Sequence, residues 1–153
     1  MISIVPHRPS WSVEFQGIAA ALVEGVGNLA LRVDHIGSTS VPHLRAKDVI
    51  DIQVTVARLD GGVAERLCQI GFVQRPEIDG DHVPPGWSGS KGDWAKLFFV
   101  QPSGQRRVNL HVRQSGRANQ RYALLFRDYL VAHPRAAEAY GELKQRLAVF
   151  LPS

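Results

Sequence analysis

The chain has 153 residues, 44% of them hydrophobic, a formal net charge of +4 and one cysteine. That length suits one domain with a proper core, so a single domain over 1–153 is expected. No stretch approaches the roughly 18 apolar residues of a membrane span. The N-terminus also lacks the basic and apolar regions of an export signal, so a cytoplasmic location away from membranes is expected.

Fourteen of the eighteen basic residues are arginine, the better bidentate partner for phosphate and carboxylate. An anionic small-molecule partner fits this balance. Nucleic acid fits less well, because Arg106-Arg107 is only a pair and no basic tract interleaved with aromatics is present. Cys68 has no partner for an internal disulfide and reads as a small buried hydrophobe in a helix-like pattern.

In chain order, Phe15, Ile18, Ala19, Leu22 and Val26 recur at helical spacing from Trp11 to about Gly27. Ser10 or Ser12 is the expected N-cap and Gly25 or Gly27 the stop. Leu29 to Ile36 reads as a strand with Leu31, Val33 and His35 on one side, and Gly37 to Arg45 as an irregular loop. Val49 to Val56 is rich in β-branched residues and reads as a buried strand with Asp51 and Gln53 on one side and Asp48 just before it. Leu59 to Gly71 reads as a second helix on Val63, Leu67 and Ile70, followed by a short strand from Phe72 to Arg75.

Residues 76 to 93, with Pro76, Pro84, Pro85 and four glycines, read as a long surface loop beside the site. Trp94 to Gln101 and Arg107 to Val112 form a predicted hairpin through Pro102-Ser103-Gly104-Gln105. Tyr122 to Ala132 and Arg135 to Val149 are predicted helices broken at His133-Pro134. The first carries Tyr122, Leu125, Phe126, Tyr129 and Leu130 as an expected core stripe, and Tyr140, Leu143, Lys144 and Leu147 do the same on the second. This order predicts an α+β fold, an α/β sandwich of a mixed sheet flanked by helices.

Three clusters carry candidate chemistry. Gly37, Ser38, Thr39 and Ser40 offer a permissive turn with hydroxyl and backbone N–H groups for a phosphate. Asp51 follows on a buried strand, where a carboxylate needs a cation or a cleft; Lys47 and Arg45 are the nearest cations. Arg107, Asn109 and His111 share one face of their strand, where His111 can ligate a metal, carry a proton or hydrogen-bond across the sheet. Arg127 reaches for an anion or forms a surface ion pair, while Lys96, Arg117 and Arg121 are reserve phosphate contacts.

The segments HIGSTSVP (35–42), AKDVIDI (46–52), NLHV (109–112), FRDYL (126–130) and AYGELK (139–144), in that order and across nearly the whole chain, resemble the GrpB (UPF0157) family. That family is similar in turn to the nucleotidyltransferase superfamily. The resemblance implies a nucleotidyltransferase-like fold with the Gly37-Ser38 turn beside Asp51, the match to the superfamily's first strand carboxylate. Some members of the family are joined to a dephospho-coenzyme A kinase. Gln53 stands where the superfamily has its second carboxylate, and His111 where its third carboxylate strand comes. His43 replaces an expected glycine and Asp48 an expected proline, and the tail after Phe150 is shorter than the resemblance leads one to expect.

Three functions remain open on these residues. The first is a metal-assisted transferase acting on a nucleotide or other phosphorylated small molecule. Asp51, His111 and Asp48 are its catalytic candidates, Asp51, His111 and His35 hold a divalent cation, Mg²⁺ or Mn²⁺, and Gly37–Ser40, Lys47, Lys96, Asn109 and Arg127 contact the substrate. The second is a module that binds an anionic ligand without turnover or supports a partner enzyme, for which Gln53 argues. The third is a small-molecule ligase, amidase or hydrolase that reuses the pocket.

Overall fold

The computed structural model describes residues 3–149; the tail after Phe150 lies outside them. Helix α1 spans Ser10–Val26 and buries Trp11, Leu22 and Val26, with Phe15 and Ile18 half-buried beside them. Pro9 precedes it in a helical conformation and no side chain caps it. The serine cap expected at Ser10 or Ser12 is therefore not made: the fixed φ of proline starts the helix one residue early. Gly27, at φ +65, ends it as expected.

The strands are β1 Arg32–Ile36, β2 Ile50–Val56, β3 Val73–Gln74, β4 Leu97–Val100 and β5 Val108–Gln114, and the remaining helices α2 Val63–Gln69, α3 Ala118–Ala132 and α4 Pro134–Ala148. The order in the sheet is β1-β2-β5-β4-β3, with β2 and β5 parallel and the other pairs antiparallel. This is the expected mixed sheet flanked by helices.

One sheet face is apolar. Ile50, Ile52, Val54 and Val56 of β2 and Val108, Leu110 and Val112 of β5 pack beneath α1 and α2. Each such side chain withdrawn from water contributes about 1.5–3 kcal/mol before entropy is counted. A smaller core of Val41, Leu44, Leu130 and Ala137 joins α3 and α4 to the loop after β1.

Several expected element details change. β1 starts at Arg32, because Gly27–Leu29 continues off α1 as a 3-10 turn, and Leu31 is exposed. α2 starts at Val63, because Gly62 at φ +97 breaks the helical path. Its inward side is Val63 and Leu67, so Cys68, about 100° further round the helix, is exposed and not the buried hydrophobe expected.

Of the expected core stripes on α3 and α4, Leu130 is buried and Phe126 and Tyr140 pack against the smaller core, whereas Tyr122, Leu125, Tyr129, Leu143 and Leu147 are exposed. α3 instead turns Asn119 and Gln120 to a polar sheet face. α4 approaches through the small residues Ala137 and Gly141, where an added Cβ would lie 3.0 Å from Leu44 Cδ1. His43, standing where a glycine was expected, holds the left-handed φ of +66 that explains the expectation. Among the described residues no helix is long and apolar enough to cross a membrane.

Candidate functional site

Strand register decides which side chains meet. Along parallel β2 and β5, Asp51 pairs with Asn109, Gln53 with His111 and Thr55 with Arg113; on β1, Asp34 pairs with Gln53. Paired residues project to the same side. Asp34, Asp51, Gln53, Asn109, His111 and Arg113 therefore form one polar face, opposite the apolar one.

The turn after β1 folds over the end of this face. Gly37, at φ +72, packs so closely that a Cβ there would lie 2.7 Å from Asp51 Oδ2. Only glycine tolerates both that backbone and that approach. Ser38 Oγ accepts a hydrogen bond from Lys144 Nζ of α4. Burial lowers the Lys144 pKa most, the field of Asp51 opposes this, and repulsion from Lys47 adds to it. Lys47 is exposed beside the same cluster. Sequence reasoning missed Lys144 as a site residue; its place at the end of the AYGELK segment was the available signal.

The other turn hydroxyls are used inside the fold. Thr39 is 3% exposed and its Oγ1 lies 2.9 Å from His35 Nε2. Ser40 Oγ donates to the Gly37 carbonyl and closes the turn. Both hydroxyls are thus engaged by bonds inside the fold.

At the other end of the face, His111 Nε2 lies 3.4 Å from Asp51 Oδ1 and its Nδ1 lies 3.1 Å from Lys96 Nζ. Burial lowers the His111 pKa most, the hydrogen bond to Asp51 opposes this, and Arg113 and Lys96 reinforce it. The charged form of the ring is therefore disfavoured. Asp81, brought in by the long loop before β4, bonds Lys96 Nζ at 2.6 Å, both Nε and Nη2 of Arg113, and Asn119 Nδ2. Burial pushes the Asp81 carboxyl up, but the bonds and charges of Arg113 and Lys96 outweigh it and hold it at about 2.

Several expected site residues have other tasks. Lys96, 7% exposed, is committed to Asp81 and His111 and is not a free phosphate contact. Arg127 bonds the His35 carbonyl and Asp128 and pairs with Asp34, clamping α3 to β1. Asp48 accepts from Trp11 Nε1 at 2.8 Å and pairs with Arg106 and Arg8, tying α1 to the β4–β5 hairpin rather than joining Asp51. Asn109 stays on the polar face beside Asp51. Gln53 is fully buried; its Oε1 accepts from Arg113 at 2.9 Å and its Nε2 donates to the Gln120 carbonyl.

His35 pairs with Ile52 and so belongs to the apolar face. It stacks on Phe15 with ring centroids 4.8 Å apart, which removes it from the expected metal group with Asp51 and His111. Burial lowers its pKa to about 4 from 6.5. The folded protein then binds fewer protons than the unfolded chain between these values, so folding stability falls as pH drops from about 6.5 towards 4. The expected loss is on the order of 1–2 kcal/mol after allowance for solvent screening. Thermal unfolding across this window checks it: the decline should shrink in His35→Gln.

The donor set does not fit a protein-held divalent cation. Among the described residues no group of three or more His, Cys, Asp or Glu is arranged to hold one. Lys96 and Arg113 have only N–H groups to offer, which favours Nδ1 of His111 as their acceptor and a ring proton on Nε2. A metal at Nε2 would force that proton onto Nδ1, against two cations. Gln53, the position of the missing carboxylate, is occupied by Arg113 and Gln120.

Comparison with known proteins bears on the family and the fold. Dephospho-CoA kinases of Mycobacterium bovis and Mycobacterium tuberculosis are each 39% identical over 155 residues, covering 92% of this chain and 38% of theirs. The UPF0157 protein YqkA of Bacillus subtilis is 30% identical over 151 residues, 99% of this chain and 41% of its own length. The chain thus spans about two fifths of the length of these curated relatives. The crystal structure of conserved protein GrpB from Enterococcus faecalis superposes with a TM-score of 0.75 at 31% identity, over 95% of this chain and 82% of that one. With the GrpB protein family model matching residues 1–150, and with this mixed nucleotidyltransferase-like sheet, the chain belongs to the GrpB family.

Proposed function

We propose that the polar face is the site of a transferase acting on a nucleotide or another phosphorylated small molecule. The observation that carries this is the Gly37 turn packed on Asp51 while Lys144 of a different element bonds Ser38. In this reading the turn and Lys144, aided by exposed Lys47, hold a phosphate. Asp51, oriented by His111, takes the proton of an acceptor hydroxyl or amine as it attacks. The relation to dephospho-CoA kinases supports a nucleotide-like substrate. A divalent ion carried by such a substrate would arrive with it.

Calorimetric titration with ATP, CTP and coenzyme A precursors, with and without Mg²⁺, tests the assignment. Lys144→Met is expected to weaken binding about 10- to 100-fold, the loss of one charge-assisted hydrogen bond. Asp51→Asn is expected to keep binding, since a negative charge beside an anion is removed, and to lower transfer about 10²–10⁴-fold. Binding that needs Mg²⁺ and vanishes in Asp51→Asn would instead establish a metal site at Asp51. A second reading, anion binding without turnover, is favoured by Gln53, whose amide is spent inside the fold where a second carboxylate would serve catalysis.

A further inference from the structure

We infer that Lys96 and Arg113, both held by Asp81, are positioning residues that lock His111 as the Nε2–H tautomer and so make it a fixed donor to Asp51. Lys96 Nζ stands 3.1 Å and Arg113 Nη2 3.5 Å from Nδ1, and neither can accept a hydrogen bond. The lone pair of Nδ1 therefore faces them, and the one remaining ring proton points to Asp51 Oδ1 at 3.4 Å. The two cations cannot turn away. Both side chains are 8% exposed, and Asp81 binds them together while its Oδ2 also accepts from Asn119. Phe98 closes one side of the ring in an edge contact, 5.2 Å between centroids.

The consequence is chemical. With the imidazole donating to Oδ1, Oδ2 of Asp51, on the side of the Gly37 turn, is the oxygen left to receive a proton from an acceptor. The O–H or N–H bond of the acceptor breaks as its heteroatom bonds to the substrate's phosphorus, the proton passes to Oδ2, the bond from phosphorus to the leaving phosphate oxygen breaks with its electron pair staying on that oxygen, and His111 keeps its own proton throughout. A metal ligand at this histidine would need the opposite tautomer. This use of the dyad rests on the proposed transferase reading; the tautomer itself does not.

Long-range ¹H–¹⁵N spectra of the His111 ring in the ligand-free protein at neutral pH test the lock. The expected result is a neutral ring with the proton on Nε2 alone. Lys96→Met should lose this single-tautomer signature and populate Nδ1–H, and Lys96→Arg, which restores an N–H donor, should recover it. An Nδ1-protonated or charged ring in the wild type overturns the inference, as does an unchanged spectrum in folded Lys96→Met. Should Lys96→Met not fold, the wild-type spectrum decides alone. A locked ring in a protein that binds no phosphorylated compound would leave the lock standing and remove the transferase reading.

Discussion

Asp81→Ala is expected to destabilise the fold by about 3–5 kcal/mol, the cost of leaving buried charges without their counter-ion. Lys96 and Arg113 are each 8% exposed at the side chain and share this one carboxylate, which Asn119 also uses. Removing it strands two cations that water reaches poorly, against the general rule that buried charge must be paired. Urea unfolding of the single variant measures the loss. The double variant Asp81→Ala/Lys96→Met should lose less than the sum of its parts, because the second change withdraws one of the stranded cations. Additive losses would mean that Asp81 and Lys96 do not stabilise one another.

Gly37→Val is expected to damage stability and ligand binding together. At φ +72 a β-branched residue is strained by about 1–3 kcal/mol. Its Cβ would also fall 2.7 Å from Asp51 Oδ2 and 3.0 Å from Asp51 Cβ. The carboxylate oxygen could swing away, but the Cβ of Asp51 is fixed by β2, so the turn itself must move. Moving it separates Ser38 from Lys144. The check is thermal unfolding beside calorimetry: a lowered melting temperature with binding abolished is expected. A variant that binds as well as the wild type would show that the turn is not part of the ligand site.

Much of this arrangement was legible in the residues. The nine elements follow from periodicity, and period-two alternation already put Asn109 and His111 on one side of β5 and Asp51 with Gln53 on one side of β2. What failed depends on register or on distant contacts. Alternation put His35 with Val33, but only the pairing with Ile52 shows that this is the apolar face. Asp81 sits in an irregular loop with no pattern to single it out; its trace in the sequence is indirect, since buried cations at Lys96, just before β4, and Arg113, on β5, require a carboxylate from somewhere. Lys144 meets Ser38 across 106 residues, a contact that no local spacing reveals. Asp48 lies two residues before β2, and its bonds to Trp11 and Arg106 are set by how α1 crosses the hairpin. The exposed stripes of α3 and α4 were misread because apolar spacing was taken for the inward side, when α3 had a polar face to satisfy.

The proposed function requires the Gly37–Ser40 turn, Lys144 and Asp51 to form one site for a phosphorylated ligand. The most direct measurement is a backbone amide NMR titration with ATP, CTP and a coenzyme A precursor, each followed in the wild type and in Lys144→Met. Saturable shifts are expected at Gly37 to Ser40, Asp51 and Asn109 for at least one of these compounds, much weakened in the variant. Binding that leaves those amides unmoved, or no binding by any phosphorylated compound, would contradict it.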